Sequence, residues 1–309
     1  MGLFKKEVID RKMLIAEERK YILGKGTEFS IREAYNALRT NIMFSLMGDK
    51  SKIISVTSTF PSEGKSINAL NVAIAFADIG KRVVLIDCDM RKPKIHKLLD
   101  VKAVPGLSNV LIGETHLDDA IRRMPQYRID VICAGDIPPV STRLLESEDV
   151  KDLFTTLRAR YDYIIVDTPP VDAVIDACVL SKYTNGTLYM IRQNYANREK
   201  IDAAVKQLEF AGGHIIGFVL NNIVEKNVIP IINYNYSYKN YKSRKKYLYQ
   251  YAYKAYRQEN ESGKSDDKNG KSGKNDKKSK KSLKKSIKDE TKNKEPKNKK
   301  TDNKEPNDK

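Results

Sequence analysis

Cysteine is scarce in this 309-residue chain: only Cys88, Cys133 and Cys178 occur, far apart and each within or beside an apolar stretch. An odd count without metal-ligand spacing argues against a disulfide framework and fits reduced core residues of a cytosolic protein. Long apolar runs are also missing. None approaches the roughly 18–20 residues that a bilayer-spanning helix needs, so a membrane role is expected to come through a partner or surface charge. The opening MGLFKKEVIDRK lacks the apolar core of a signal peptide. Gly2 invites a myristoylation reading, but Lys6 stands where that signal carries Ser or Thr. No repeat of fixed period is present.

Large aliphatics run out near residue 260. Residues 261–309 hold 18 lysines and 10 acidic residues but only Leu283 and Ile287 among the large aliphatics. Such a segment cannot bury enough apolar surface to offset the entropy of ordering, and it is expected to be disordered. The net charge of +17 is uneven: this tail supplies +8 and Tyr234–Tyr256 another +6. A domain near neutrality with basic appendages is not a basic groove, so nucleic acid is not the expected partner. The appendages suit the anionic inner face of a membrane, at about 1 kcal/mol per close Lys or Arg; a purely solubilising tail is the plain alternative.

Short β-branched runs recur at Ile53–Thr57, Val83–Ile86, Ile129–Cys133, Tyr163–Val166, Thr187–Ile191 and Ile215–Leu220. Helical spacing lies between them, as in Asn68–Ile79, stopped by Gly80, and in Asp149–Arg160. Apolar strands separated by helices predict an α/β, doubly wound, mostly parallel sheet of the P-loop NTPase kind. Four segments are expected: an N-terminal extension (1–28), a P-loop domain (29–233), a tyrosine cluster (234–256) and a Lys-rich tail (257–309).

Ligands in such folds bind beyond the carboxyl ends of the strands, and the chemistry-bearing residues fall there. After the first strand comes Thr59-Phe60-Pro61-Ser62-Glu63-Gly64-Lys65-Ser66, followed by a helix. Backbone N–H groups of Pro61–Ser66, proline apart, can close on phosphate oxygens at a helix N-terminus. Lys65 then reaches the β- and γ-phosphates, and the Ser66 hydroxyl joins the shell of Mg²⁺. Thr59 and Ser62 stand where glycines are usual. The strand Val84–Ile86 ends in Asp87 and Asp89, carboxylates suited to binding metal or accepting a proton from a hydroxyl. The strand Ile164–Val166 delivers Asp167, followed by Thr-Pro-Pro, to the same edge.

In the loop PSEGKS, the middle motif VLIDCDMRKP, the third motif IIVDTPP and a C-terminal tyrosine cluster, the sequence resembles the bacterial tyrosine autokinases of capsule and exopolysaccharide production. The resemblance covers about residues 29–256 and includes EAYNALRTNI, GLSNVLIG and GFVLNN. It looks like the version whose kinase domain is a separate polypeptide activated by a membrane protein. It implies a protein-tyrosine kinase using ATP and Mg²⁺, with Lys65 and Ser66 on phosphates and metal. Asp87 would be the base and a metal-side charge, Asp89 its support, and Asp167 a metal ligand. It also implies a membrane-anchored activator or chain-length determinant, a cognate phosphotyrosine phosphatase and substrates such as sugar-nucleotide enzymes. The expected location is cytoplasmic, at the inner face of the membrane. Partition and septum-positioning ATPases share the fold and form the competing reading; their signature lysine is replaced here by Phe60. A nucleotide-binding adaptor is the second rival. The family's Glu-x-x-Arg-x-x-Arg oligomer motif reads Glu33, Asn36, Arg39 here, so homo-oligomers are expected through Glu33 and Arg39 with the first arginine missing.

Nine of the 17 tyrosines, Tyr234, Tyr236, Tyr238, Tyr241, Tyr247, Tyr249, Tyr251, Tyr253 and Tyr256, fall between residues 234 and 256, with six basic residues among them. The spacing of two suggests a strand, but the intervening Asn, Ser, Lys and Gln are too polar for a core. Such a stretch also resembles a single-strand nucleic-acid binder. As autophosphorylation substrates the tyrosines make an electrostatic switch, because each phosphate adds about −1.5 to −2 charge against the local +6.

Overall fold

The computed structural model describes residues 13, 15–48 and 51–223. All of them lie in one compact unit, Met1–Ile229. The tyrosine cluster and the Lys-rich tail fall outside the described residues.

Seven strands form one sheet: β1 (Lys52–Ser58), β2 (Val83–Asp87), β3 (Ile121–Met124), β4 (Ile129–Ile132), β5 (Tyr163–Asp167), β6 (Gly186–Arg192) and β7 (Ile215–Asn221), in the order β3-β4-β2-β5-β1-β6-β7. Every pairing is parallel except β3 with β4. The expected doubly wound, mostly parallel sheet is therefore present, and the six anticipated strands are all in it. β3 was not anticipated. Its sequence Ile-Arg-Arg-Met carries two arginines in four residues, and it holds its place as an antiparallel edge by pairing with β4.

Each central strand is apolar on both faces, and its residues divide by the twofold alternation of a strand. Val83, Leu85, Ile54, Val56, Tyr163 and Ile165 enter one core. Their neighbours Val84, Ile86, Ile53, Ile164 and Val166 enter the core on the opposite face. The first core is covered by α1 (Phe29–Ser45) and α2 (Lys65–Ala77), and α7 (Glu148–Arg160) contributes to the second. Between α2 and α7 the chain forms α3 (Ile95–Leu99), α4 (Leu107–Leu111), α5 (Leu117–Ala120) and α6 (Ser141–Glu146); α8 (Asp176–Ser181) and α9 (Arg198–Phe210) follow α7.

Helix α2 is buried at 11 of its 13 positions, which marks it as the central helix instead of a half-exposed cover. Phe76, fully buried, stacks on Tyr163 of β5 with ring centroids 3.8 Å apart. Burying one such ring contributes about 1.5–3 kcal/mol. The helix ends as its glycine foretells. Gly80 adopts φ +80°, and the Gly80 and Lys81 N–H groups donate to the carbonyls of Ala77 and Phe76.

Candidate active site

The carboxyl ends of β1, β2 and β5 bring the three sequence motifs to one edge. Asp87 ends β2, Asp167 ends β5, and the two stand directly opposite each other in the parallel register. Val56 of β1 pairs with Asp167 from the other side, three residues before the loop that starts at Thr59. The loop delivers its chain to α2 through Gly64, whose φ of +91° favours glycine. Lys65 opens the helix and is 7% exposed.

The electrostatics of this edge are dominated by burial. Both Asp87 and Asp167 are fully buried. Burial, then the facing Asp167 charge, raises the Asp87 carboxyl far above the ordinary range; N–H donors from Ile95 and Lys94 oppose this in part. Burial also raises Asp167, opposed by the Lys65 ammonium and the Ser66 hydroxyl. The hydrogen bonding of the two is unequal. One Asp87 oxygen accepts the Lys94 and Ile95 N–H groups, each at 3.0 Å, and the other accepts the Asp89 N–H at 3.2 Å. Neither Asp167 oxygen accepts a hydrogen bond of normal geometry among the described residues, although Ser66 lies close enough to favour its charged form. A buried carboxylate left this way is costly unless a cation completes it. Two carboxylates and a hydroxyl beside a phosphate loop are hard oxygen donors, the set that suits Mg²⁺ with its remaining positions filled by phosphate and water.

Asp89 is half-buried and accepts the Lys92 N–H at 3.0 Å, so it shapes the middle-motif loop as well as facing the edge. The same loop is anchored by Arg91, whose Nε donates to the fully buried Asp176 at 3.2 Å. Asp176 also accepts the Ser141 and Thr142 hydroxyls at 3.1 and 2.6 Å. Nothing local in the sequence marks Asp176, because its partners come from two distant segments, Arg91 and Ser141–Thr142.

Within the phosphate loop, Pro61 and Ser62 are exposed, and Ser62 takes φ +65° although it is not glycine. Glu63, expected to bind nucleotide, has a fully buried side chain. Its Oε2 accepts the Phe60 N–H at 2.6 Å, and its Oε1 the Arg192 N–H at 3.3 Å. Its carboxylate therefore braces the loop from within. Phe60 meets Tyr195 edge-on, 6.4 Å between centroids. In α1, Asn36 donates to Glu33 and accepts from Arg39, so it bridges the expected interface pair. Glu33 is exposed, whereas Arg39 turns inward and donates to the Ala75 carbonyl at 2.9 Å. All three cysteines are buried and free. Among the described residues no helix is long and apolar enough to cross a membrane.

A family model described as an AAA domain matches residues 51–206. The tyrosine-protein kinase YwqD of Bacillus subtilis is 35% identical over 189 residues, which cover 61% of this chain and 80% of that one. The tyrosine-protein kinase wzc of Salmonella typhimurium is 32% identical over 204 residues, 66% of this chain but only 28% of its own length. The solved kinase domain of Escherichia coli tyrosine kinase ETK superposes with a TM-score of 0.62 at 32% identity, covering 63% of this chain and 76% of that one. Paired strand-end carboxylates beside a phosphate loop are an arrangement for phosphoryl transfer, and with these likenesses the chain belongs to the bacterial tyrosine-protein kinases.

Proposed function

We propose that this kinase transfers the γ-phosphoryl group of ATP to tyrosines of its own C-terminal cluster, Tyr234–Tyr256, between molecules, and thereby regulates capsular or exopolysaccharide synthesis and export. The observation that carries the reading is the Asp87–Asp167 pair, one member held by three N–H donors and the other unpartnered, beside Lys65 and Ser66. The backbone of Pro61–Ser66 and the Lys65 ammonium bind the phosphates. Ser66, Asp87 and Asp167 would hold Mg²⁺, which would supply charge neutralisation at the transferring group. Asp87, whose carboxyl is raised by burial, accepts the tyrosine proton as the phenolic oxygen attacks. Asp89 supports that site by fixing the loop that carries it.

The cluster lies outside the described residues, and the case for it is compositional. Nine acceptors in a basic segment give successive hydroxyls to one site, and phosphorylation reverses the local charge. Self-association of the unphosphorylated chain through α1 is supported by its exposed apolar side chains, Phe29 at 69% and Phe44 at 44%, beside Glu33 and Arg39. The wzc comparison supports a membrane-anchored activator: there the matching segment is 28% of a longer chain. That arrangement keeps the kinase at the inner face of the membrane, with a phosphatase and enzymes such as those of sugar-nucleotide metabolism as further partners.

The test mixes a Lys65→Met chain with an intact cluster and an active chain truncated before Tyr234. Phosphotyrosine on the Lys65→Met protein, faster at higher concentration, is the expected result. Labelling confined to full-length active chains, at a rate independent of dilution, would place the transfer within one molecule. Absence of label from every chain would remove the autokinase reading.

A further inference from the structure

Three residues of the phosphate loop, Thr59, Ser62 and Glu63, are hydrogen-bonded to the far strands of the sheet. Thr59 Oγ1 and the Tyr189 hydroxyl of β6 are 2.9 Å apart in the core. The Arg192 guanidinium, at the end of β6, donates to the Ser62 carbonyl at 3.3 Å and lies 5.3 Å from the Tyr195 ring centre. The Arg192 N–H donates to the buried Glu63 carboxylate. From the end of β7, Asn221 Nδ2 donates to the Glu63 carbonyl at 3.0 Å. That amide lies so close that a Cβ on Gly64 would sit 2.1 Å from it. Thr59 and Ser62 occupy positions where glycines usually let such a loop close on itself. The restraint here comes from outside, across the sheet.

We infer that Asn221 is a positioning residue for nucleotide binding: it holds the Glu63–Gly64 peptide in its phosphate-facing conformation, so that the loop's affinity depends on β7 being seated against β6. The inference rests on reading residues 59–66 as the nucleotide's phosphate loop. Three observations converge on Asn221 over its neighbours. Its amide makes the bond from β7 to the loop, and its carbonyl accepts the Gln193 N–H at 3.0 Å, which ties the ends of β6 and β7 together. Leu220 beside it is 52% exposed, with its side chain directed away from the core. Among the described residues β7 is also an edge strand, joined to the sheet through β6 alone, so no second strand holds it in place.

The experiment uses the full chain carrying Asn221→Ala, Asn221→Asp or, as the control on the same strand, Leu220→Thr. A fluorescent ATP analogue with Mg²⁺ reports the dissociation constant, and thermal melting without nucleotide reports the fold. Losing one hydrogen bond that is realised in the binding conformation predicts affinity about 3- to 10-fold weaker for Asn221→Ala. Asn221→Asp should lose more, because a carboxylate would face the Glu63 carbonyl and the bound phosphates. Melting without nucleotide should change little, and in phosphotransfer the KM for ATP should rise with kcat at saturation nearly kept. Leu220→Thr should bind as the unmodified chain does. Unchanged affinity in both Asn221 variants would overturn the inference, as would an equal loss in Leu220→Thr. Binding is read here without transfer. A chain that binds the analogue in this pattern but carries no phosphotyrosine would therefore defeat the autokinase reading and leave this one standing.

Discussion

Asp167→Asn should make the nucleotide-free protein more stable while destroying its activity. The substitution removes one of two carboxylates that face each other in register with no solvent exposure. Burial raises both above the ordinary carboxylate range; the facing Asp167 charge adds to the rise at Asp87, whereas the Lys65 ammonium and the Ser66 hydroxyl oppose it at Asp167. Each unit of such a shift costs about 1.4 kcal/mol of stability at a pH where the unfolded chain is ionised. Allowing for relaxation around the site, relief of about 2 kcal/mol is the working figure, which for a domain of this size lifts Tm by roughly 4–8 °C. The pH dependence has a definite sign. An acid whose folded pKa is raised binds more protons folded than unfolded, so the unmodified chain loses stability as pH rises above the ordinary carboxylate range. Melting at about pH 5 and about pH 8 without Mg²⁺ should show that slope in the parent and a shallower one in Asp167→Asn. Mg²⁺ with nucleotide should then stabilise the parent and fail to stabilise the variant. A lower Tm for Asp167→Asn without ligand would refute the account of an uncompensated buried pair.

Asp87→Asn should retain part of the nucleotide affinity yet lose phosphotyrosine formation, measured by analogue binding beside an anti-phosphotyrosine blot; near-normal transfer would remove Asp87 from the role of base. Gly64→Ala should abolish nucleotide binding, because a Cβ meets the Asn221 amide at 2.1 Å on a backbone at φ +91°; equilibrium binding checks it. Asp176→Ala should lower stability by about 2 kcal/mol in urea unfolding, since it strands the buried Ser141 hydroxyl and removes the acceptor that Arg91 and Thr142 share.

Much of the architecture was legible in the chain itself. Apolar β-branched runs fix strands wherever both faces are buried, and the six that the sequence displays are the six that carry the sheet's parallel core and flank. The chemistry followed, because in a parallel sheet every strand ends at the same edge, so Asp87 and Asp167 at strand ends had to arrive together. β3 was hidden because its stability comes from pairing with β4, and its own residues lack a strand's apolar pattern. What the linear order could not reveal was which partner satisfies each polar group. Glu63 reads as one more loop residue, yet only folding brings Arg192 to its carboxylate and Asn221 to its carbonyl, 129 and 158 residues away. Asp167 has the opposite fate: a carboxylate at a strand end is ordinary in sequence, and only the packed sheet removes it from water and leaves it without a hydrogen bond of normal geometry among the described residues. Strand periodicity is local and survives in the linear chain. Desolvation and long-range hydrogen bonding are properties of the assembled interior, and they decided which of the predicted residues brace the loop and which stay desolvated at the strand ends.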